Sequence, residues 1–218
     1  MSYVNPLEQV ATVLVTAVGE AEGARGAAAA LACEGADVDR PALLVDVGGR
    51  PPRPTLIASA AAQELEKRIA GHLPRARVAA RGQVCHLAVP GEVDGLEAAA
   101  AAVTIARGAL AVLHLPPALL QPLVDGAGPR PTGALLRADL RRDRALVGLV
   151  GRGLIERGLA VGVLKARLGW VGERRALFGV LPAGSATGLP ERLVRRLVPA
   201  VPPPNRGRAG VPSLEAAG

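Results

Sequence analysis

Aromatic residues are almost missing from this chain: Tyr3, Trp170 and Phe178 are the complete set in 218 residues. A packed core must therefore be built from Ala, Val and Leu. A surface that reads single-stranded nucleic acid by stacking bases on rings is also argued against. Cysteine is equally scarce. Cys33 and Cys85 have neither C-x-x-C spacing nor a nearby His pair, which excludes a zinc site of ordinary ligand spacing. Cys33 falls in an Ala-rich helical stretch and Cys85 in a strand, where a reduced buried thiol is the default; that fits the cytoplasm. No apolar run reaches the ~18 residues free of Gly, Pro or charge that a membrane-crossing helix needs. The first residues lack a basic segment, and Thr12 and Thr16 interrupt the apolar stretch that follows, so no secretory signal is expected.

Half of the residues are apolar, enough for one large domain with a full core. The net charge is +7, and every basic side chain other than Lys67 and Lys165 is arginine. With the excess of Ala, Gly and Pro, this reads as a compositional bias spread over solvated faces. The functional reading of the same charge is an acidic partner, DNA or anionic membrane, met by the pairs Arg141/Arg142, Arg174/Arg175 and Arg195/Arg196.

Short β-like runs alternate with Ala-, Leu- and Arg-rich helical stretches. Strands are expected at 11–18, 42–47, 83–89, 109–115, 132–137, 159–164 and 176–181. Helices are expected at 23–34, 59–70, 94–106 (with Asp94 as N-cap), 142–157 and 190–197. Strands apolar on both faces and separated by helices imply a doubly wound α/β fold, its mainly parallel sheet of about seven strands covered by helices on both sides. Ligands in such sheets bind at the carboxyl ends of the strands.

Three segments fall at those ends. The first, Gly19-Glu20-Ala21-Glu22-Gly23-Ala24-Arg25-Gly26, follows a strand and opens a helix, as a phosphate-cradling loop does. It has no Lys for the β- and γ-phosphates and no Ser or Thr for Mg²⁺, and Glu20 and Glu22 place negative charge where phosphates would lie. The second, Leu43-Leu44-Val45-Asp46, ends a strand on a carboxylate. The third, Val112-Leu113-His114-Leu115-Pro116-Pro117, ends a strand on an imidazole, a poor ligand for Mg²⁺ and more often a satisfied structural residue. Ser59 and Ser185 lack a G-x-S-x-G elbow, and His72, His86 and His114 show no H-E-x-x-H and no close His–carboxylate spacing.

The order of apolar strand, Gly loop, Ala-rich helix and LLVDV strand resembles the partition and septum-positioning (ParA/MinD-type) P-loop ATPases. It is most similar to their pilus-assembly relatives of the TadZ/CpaE type. In that comparison Gly23, Ala24, Arg25 and Gly26 stand at the family's GKTT or GAST positions, and Gly19 stands where the signature lysine belongs. Asp46 matches the first acidic residue of the LLiDlD segment, whose second Asp falls on Gly48. His114 stands at the Mg²⁺-organising Asp. Leu164-Lys165 replaces the base-reading Asn.

The resemblance implies a P-loop NTPase-like α/β domain over 10–198, after an extension at 1–9 and before a loose Pro/Gly-rich tail at 199–218. Gly19, Gly23, Ala24, Arg25, Gly26 and Asp46 are the remnant of its nucleotide site. The missing Lys, hydroxyl and Walker B acid imply no catalytic residues, no metal and no required cofactor, with ATP the ligand to test. The expected function is a non-catalytic scaffold or positioning protein of pilus assembly or secretion. It would be cytoplasmic, at most peripheral at the inner membrane face, working with protein partners of that machinery or as a homodimer. The alternatives are a nucleotide-binding switch with Arg25 on phosphate and a basic binder of DNA or anionic membrane.

Overall fold

The computed structural model describes residues 11–19, 23–37, 40–50 and 57–165. Seven strands form one sheet in the order β3-β4-β2-β5-β1-β6-β7. They are β1 (Thr12–Val18), β2 (Ala42–Val47), β3 (Arg77–Arg81), β4 (Val84–Val89), β5 (Leu110–Leu115), β6 (Gly133–Ala138) and β7 (Ala160–Lys165). The helices are α1 (Ala24–Gly35), α2 (Ala60–His72), α3 (Val93–Ile105), α4 (Leu120–Val124) and α5 (Arg144–Glu156). All pairings are parallel except β3 with β4. The expected α/β class and mainly parallel sheet are thus present.

Successive side chains of a strand point to opposite faces, and here both faces are apolar. Leu14, Leu43, Val45, Leu113 and Leu136 pack on one side against Leu65 and Ile69 of α2, Leu96 of α3, Leu123 of α4 and Leu154 of α5. Val13, Val15, Leu44, Val112 and Leu135 pack on the other against the alanines of α1. Among the described residues α1 is the sole helix on its face. Chain handedness explains this for α3, α4 and α5; α2 leads into the antiparallel β3, to which the rule does not apply. The crossovers β4–α3–β5, β5–α4–β6 and β6–α5–β7 all run toward the β7 edge, whereas β1–α1–β2 runs the other way. Right-handed crossovers moving in opposite directions must lie on opposite faces.

Ala suits this position because the helix is buried nearly all round: Ala27, Ala28, Ala30, Leu31 and Ala32 are fully inaccessible. Ala28→Leu would force a larger side chain into that contact, at about 1–3 kcal/mol.

Sequence and structure differ in three places. β3 is a strand where none is expected: RVAAR carries arginines at both ends, and it forms a short antiparallel edge strand with a half-buried pattern. The Pro116-Pro117 pair does not simply end β5. Pro117 opens a 3-10 turn (Pro117–Leu119) that runs into α4, as proline can at a first helical position. Glu92, not Asp94, precedes the first residue of α3; Asp94 lies within its first turn, where its charge complements the helix dipole. The expected strand at 176–181, the helix at 190–197 and the terminal segments 1–9 and 199–218 lie outside the described residues.

Candidate functional site

The chain turns from β1 to β2 in one direction and from β5 to β6 in the other, and β1 and β5 are neighbours. The first leads into α1 on one face and the second into α4 on the other, and it is at the carboxyl ends of such strands that ligands bind in open α/β sheets. Thr16 of β1 ties these two ends together by donating from Oγ1 to the Leu115 carbonyl of β5 at 2.8 Å.

The loop that enters α1 has Gly19 and Gly23 in the left-handed region, at φ 66° and 88°. Gly23 is the N-cap and offers no side-chain cap. A Cβ at Gly19 would stand 2.6 Å from the carboxylate of Asp143, which precedes α5. The position matched to the family's lysine thus excludes any side chain twice, by backbone conformation and by contact. Ala24 and Gly26, in the first turn of α1, are both buried.

Arg25, the second residue of α1, turns across the carboxyl end of the sheet toward β2. Its Nε lies 3.0 Å from Asp46 Oδ2 and donates to Oδ1 at 3.1 Å. Its Nη2 donates to the Gly48 carbonyl at 3.3 Å. Asp46 is 2% exposed. His114, its register partner on β5, approaches the same carboxylate with Nδ1 2.8 Å from Oδ1. An ionised carboxylate only accepts, so Nδ1 carries the proton. His86, on β4 and diagonal to Asp46 on the same sheet face, places Nε2 3.7 Å from Oδ2. That is too long for a hydrogen bond, and His86 Nε2 is buried with no hydrogen-bond partner.

Burial alone would push the Asp46 carboxyl up. The hydrogen bond from His114, the nearby His86 ring, and the charges of His114 and Arg25 outweigh it, and hold the carboxyl well below the usual carboxylate range. Gly49 is shaped by the same group: a Cβ there would coincide with the Asp46 carboxylate.

Of the residues singled out by sequence, the structure joins Arg25 to Asp46 directly, and His114 to the same carboxylate. Gly23, Ala24 and Gly26 bound the start of α1, while Gly19 sits against Asp143 on the opposite side of β1. Asp46 accepts from side chains rather than from the backbone amides expected of a strand-end carboxylate. Spacing gives no sign of His86 beside it. Arg137 also escapes sequence reasoning. It is 2% exposed and lies at the carboxyl end of β6, on the face that Leu135 turns toward α1. The available signal is an arginine inside the otherwise apolar strand GALLRA.

The donor set does not suit a hard divalent ion. Nitrogen ligands replace oxygens, a guanidinium already neutralises the one carboxylate, and among the described residues no three His, Cys, Asp or Glu side chains are placed to hold a metal. Among the same residues, no helix is long and apolar enough to cross a membrane. Compared with family models, curated proteins and solved structures, the chain matches none of them.

Proposed function

We propose that this chain is a non-catalytic, ParA/MinD-like scaffold or positioning protein whose nucleotide site has become an internal charge network. One observation carries the reading: Asp46, the carboxylate matched to water and metal positioning, is held by Arg25 and His114. Phosphoryl transfer rests on positioned cations and electrostatic stabilisation. Here the loop brings neither lysine nor hydroxyl, and its one guanidinium is spent on a protein carboxylate. The resemblance to TadZ/CpaE-type proteins suggests partners in a pilus or secretion machinery, a homodimer among the assemblies, and a cytoplasmic location at most peripheral to the inner membrane.

The test is steady-state ATP turnover with Mg²⁺. The expected rate is indistinguishable from a protein-free control; turnover that disappears in Asp46→Ala would overturn the proposal.

A second reading has one observation in its favour. Arg25 stands in the first turn of α1, where guanidinium and free backbone N–H groups could share a phosphate. A nucleotide-bound, non-hydrolysing switch would then require Arg25 to leave Asp46. Stabilisation by ATP that is lost in Arg25→Ala would favour it over the scaffold.

A further inference from the structure

We propose that His86 is a proton-operated competitor of Arg25 for the Asp46 carboxylate, so that acidification releases Arg25 from the end of β2. Two groups face the Asp46 carboxylate beside His114: Arg25, whose Nε donates to Oδ1 at 3.1 Å and lies 3.0 Å from Oδ2, and His86, whose Nε2 lies 3.7 Å from Oδ2. The first holds the carboxylate. The second faces it through a buried nitrogen without any hydrogen-bond partner. An unsatisfied buried nitrogen beside a carboxylate is costly, and it asks for an explanation. A proton supplies one. The imidazolium needs to close only a few tenths of an ångström to donate to Oδ2. Its positive charge then repels the guanidinium already there.

His114 keeps Oδ1 through its own Nδ1–H, so the carboxylate stays anchored when Arg25 leaves it. Arg25 is free to move, because its side chain is 37% exposed and its other bond, to the Gly48 carbonyl, lies at the surface.

The charged groups that share this face set the balance. They are Asp46 on β2, Arg25 on α1 and His114 on β5. Arg77 and Arg81 on β3 lie two residues either side of Ala79, the register partner of His86. The charge of Arg81 is shared with the far end of α1, where it acts on Cys33 against Glu34. α2 and α3 pack on the opposite face. The inference rests on the reading that Arg25 serves Asp46 rather than a phosphate.

The experiment is an NMR titration of the full chain without nucleotide, from about pH 8 to about pH 5, the range in which histidines change charge. It follows the His86 ring and the exchange protection of Arg25 Nε–H. The expected result is a common midpoint, with Arg25 protection falling roughly fivefold or more. In His86→Gln the protection should persist across the range.

A His86 titration that leaves Arg25 protected would overturn the proposal, as would the same loss of protection in His86→Gln. If that variant does not fold, coincidence or separation of the two wild-type midpoints decides alone. ATP turnover, by contrast, would overturn the scaffold reading without touching this competition.

Discussion

Arg25 Nε lies 3.0 Å from Asp46 Oδ2, so the first turn of α1 is tied by charge to the end of β2, at the carboxyl end of the sheet. Asp46 is buried and Arg25 is more than one-third exposed, and the two partners should therefore differ in what their loss costs. Asp46→Ala leaves Arg25 and His114 facing an empty, partly desolvated site and should cost about 3 kcal/mol. Arg25→Ala leaves Asp46 still bonded to His114, and water can reach the gap, so the cost should be about 1 kcal/mol. Urea denaturation of both variants checks the order. Arg25→Ala as the more damaging change would contradict the assignment of Asp46 as the hub.

The pH dependence follows from the same carboxylate. Its folded-state pKa is depressed, so its contribution to stability is fully present above the unfolded value of about 4. That contribution is lost as pH falls from there toward the lower folded value. The stability difference between wild type and Asp46→Asn should shrink progressively as pH falls below about 4. Thermal unfolding across that range measures it. A difference that grows on acidification would mean that Asp46 is not the paired group.

Much of this is legible in the sequence. Buried parallel strands announce themselves as continuous apolar runs, and ALLVDV and LAVLHL are recognisable without a structure. The Gly-bounded turn and the Ala-rich α1 are equally plain. What stays hidden depends on strand order. His114 and Asp46 are 68 positions apart and become neighbours only because β5 lies beside β2. His86 reaches Asp46 along a diagonal that exists only once the β2–β4 register is set. A search for histidines and carboxylates at close spacing finds neither. The short β3 is obscured because its terminal arginines mask a strand that buries Ala79 and Ala80.

Glycine replacements separate the constrained positions from the open ones. Gly49→Ala would drive its methyl group into the Asp46 carboxylate and should cost about 2 kcal/mol or more. Gly19→Lys, which places a lysine at the position the ParA/MinD resemblance matches to the signature lysine, meets Asp143 and a positive φ. It should destabilise by about 1–3 kcal/mol without producing ATP turnover. A methyl group at Gly148, inside α5, would meet nothing within 4 Å, so Gly148→Ala should stabilise by about 0.5–1 kcal/mol. Chemical denaturation of the three variants tests the pattern, and a stabilising Gly49→Ala would contradict the packing described around Asp46.

The two thiols should be inert in the folded state. Burial pushes both up to about 12, with Glu34 adding to the effect at Cys33 and Glu66 at Cys85. The nucleophilic thiolate is then scarce at neutral pH. A disulfide-exchange reagent at pH 8 should label neither residue within minutes, and should label both once urea unfolds the chain. Rapid labelling of Cys85 in the native protein would mean that the sheet opens far more readily than its packing allows.

The proposed reading, that Asp46 is held by the protein's own Arg25 and His114 and that no nucleotide is needed there, is tested most directly by titrating Mg·ATP and ADP into the purified chain while following heat and thermal stability. A ligand present at one hundred times its Kd would stabilise the fold by about 2.7 kcal/mol, a shift that is easily measured. The account predicts no binding heat and no change in Tm at millimolar nucleotide, for wild type and Arg25→Ala alike. Saturable heat with a rise in Tm that vanishes in Arg25→Ala would contradict it, and would assign Arg25 to phosphate rather than to Asp46.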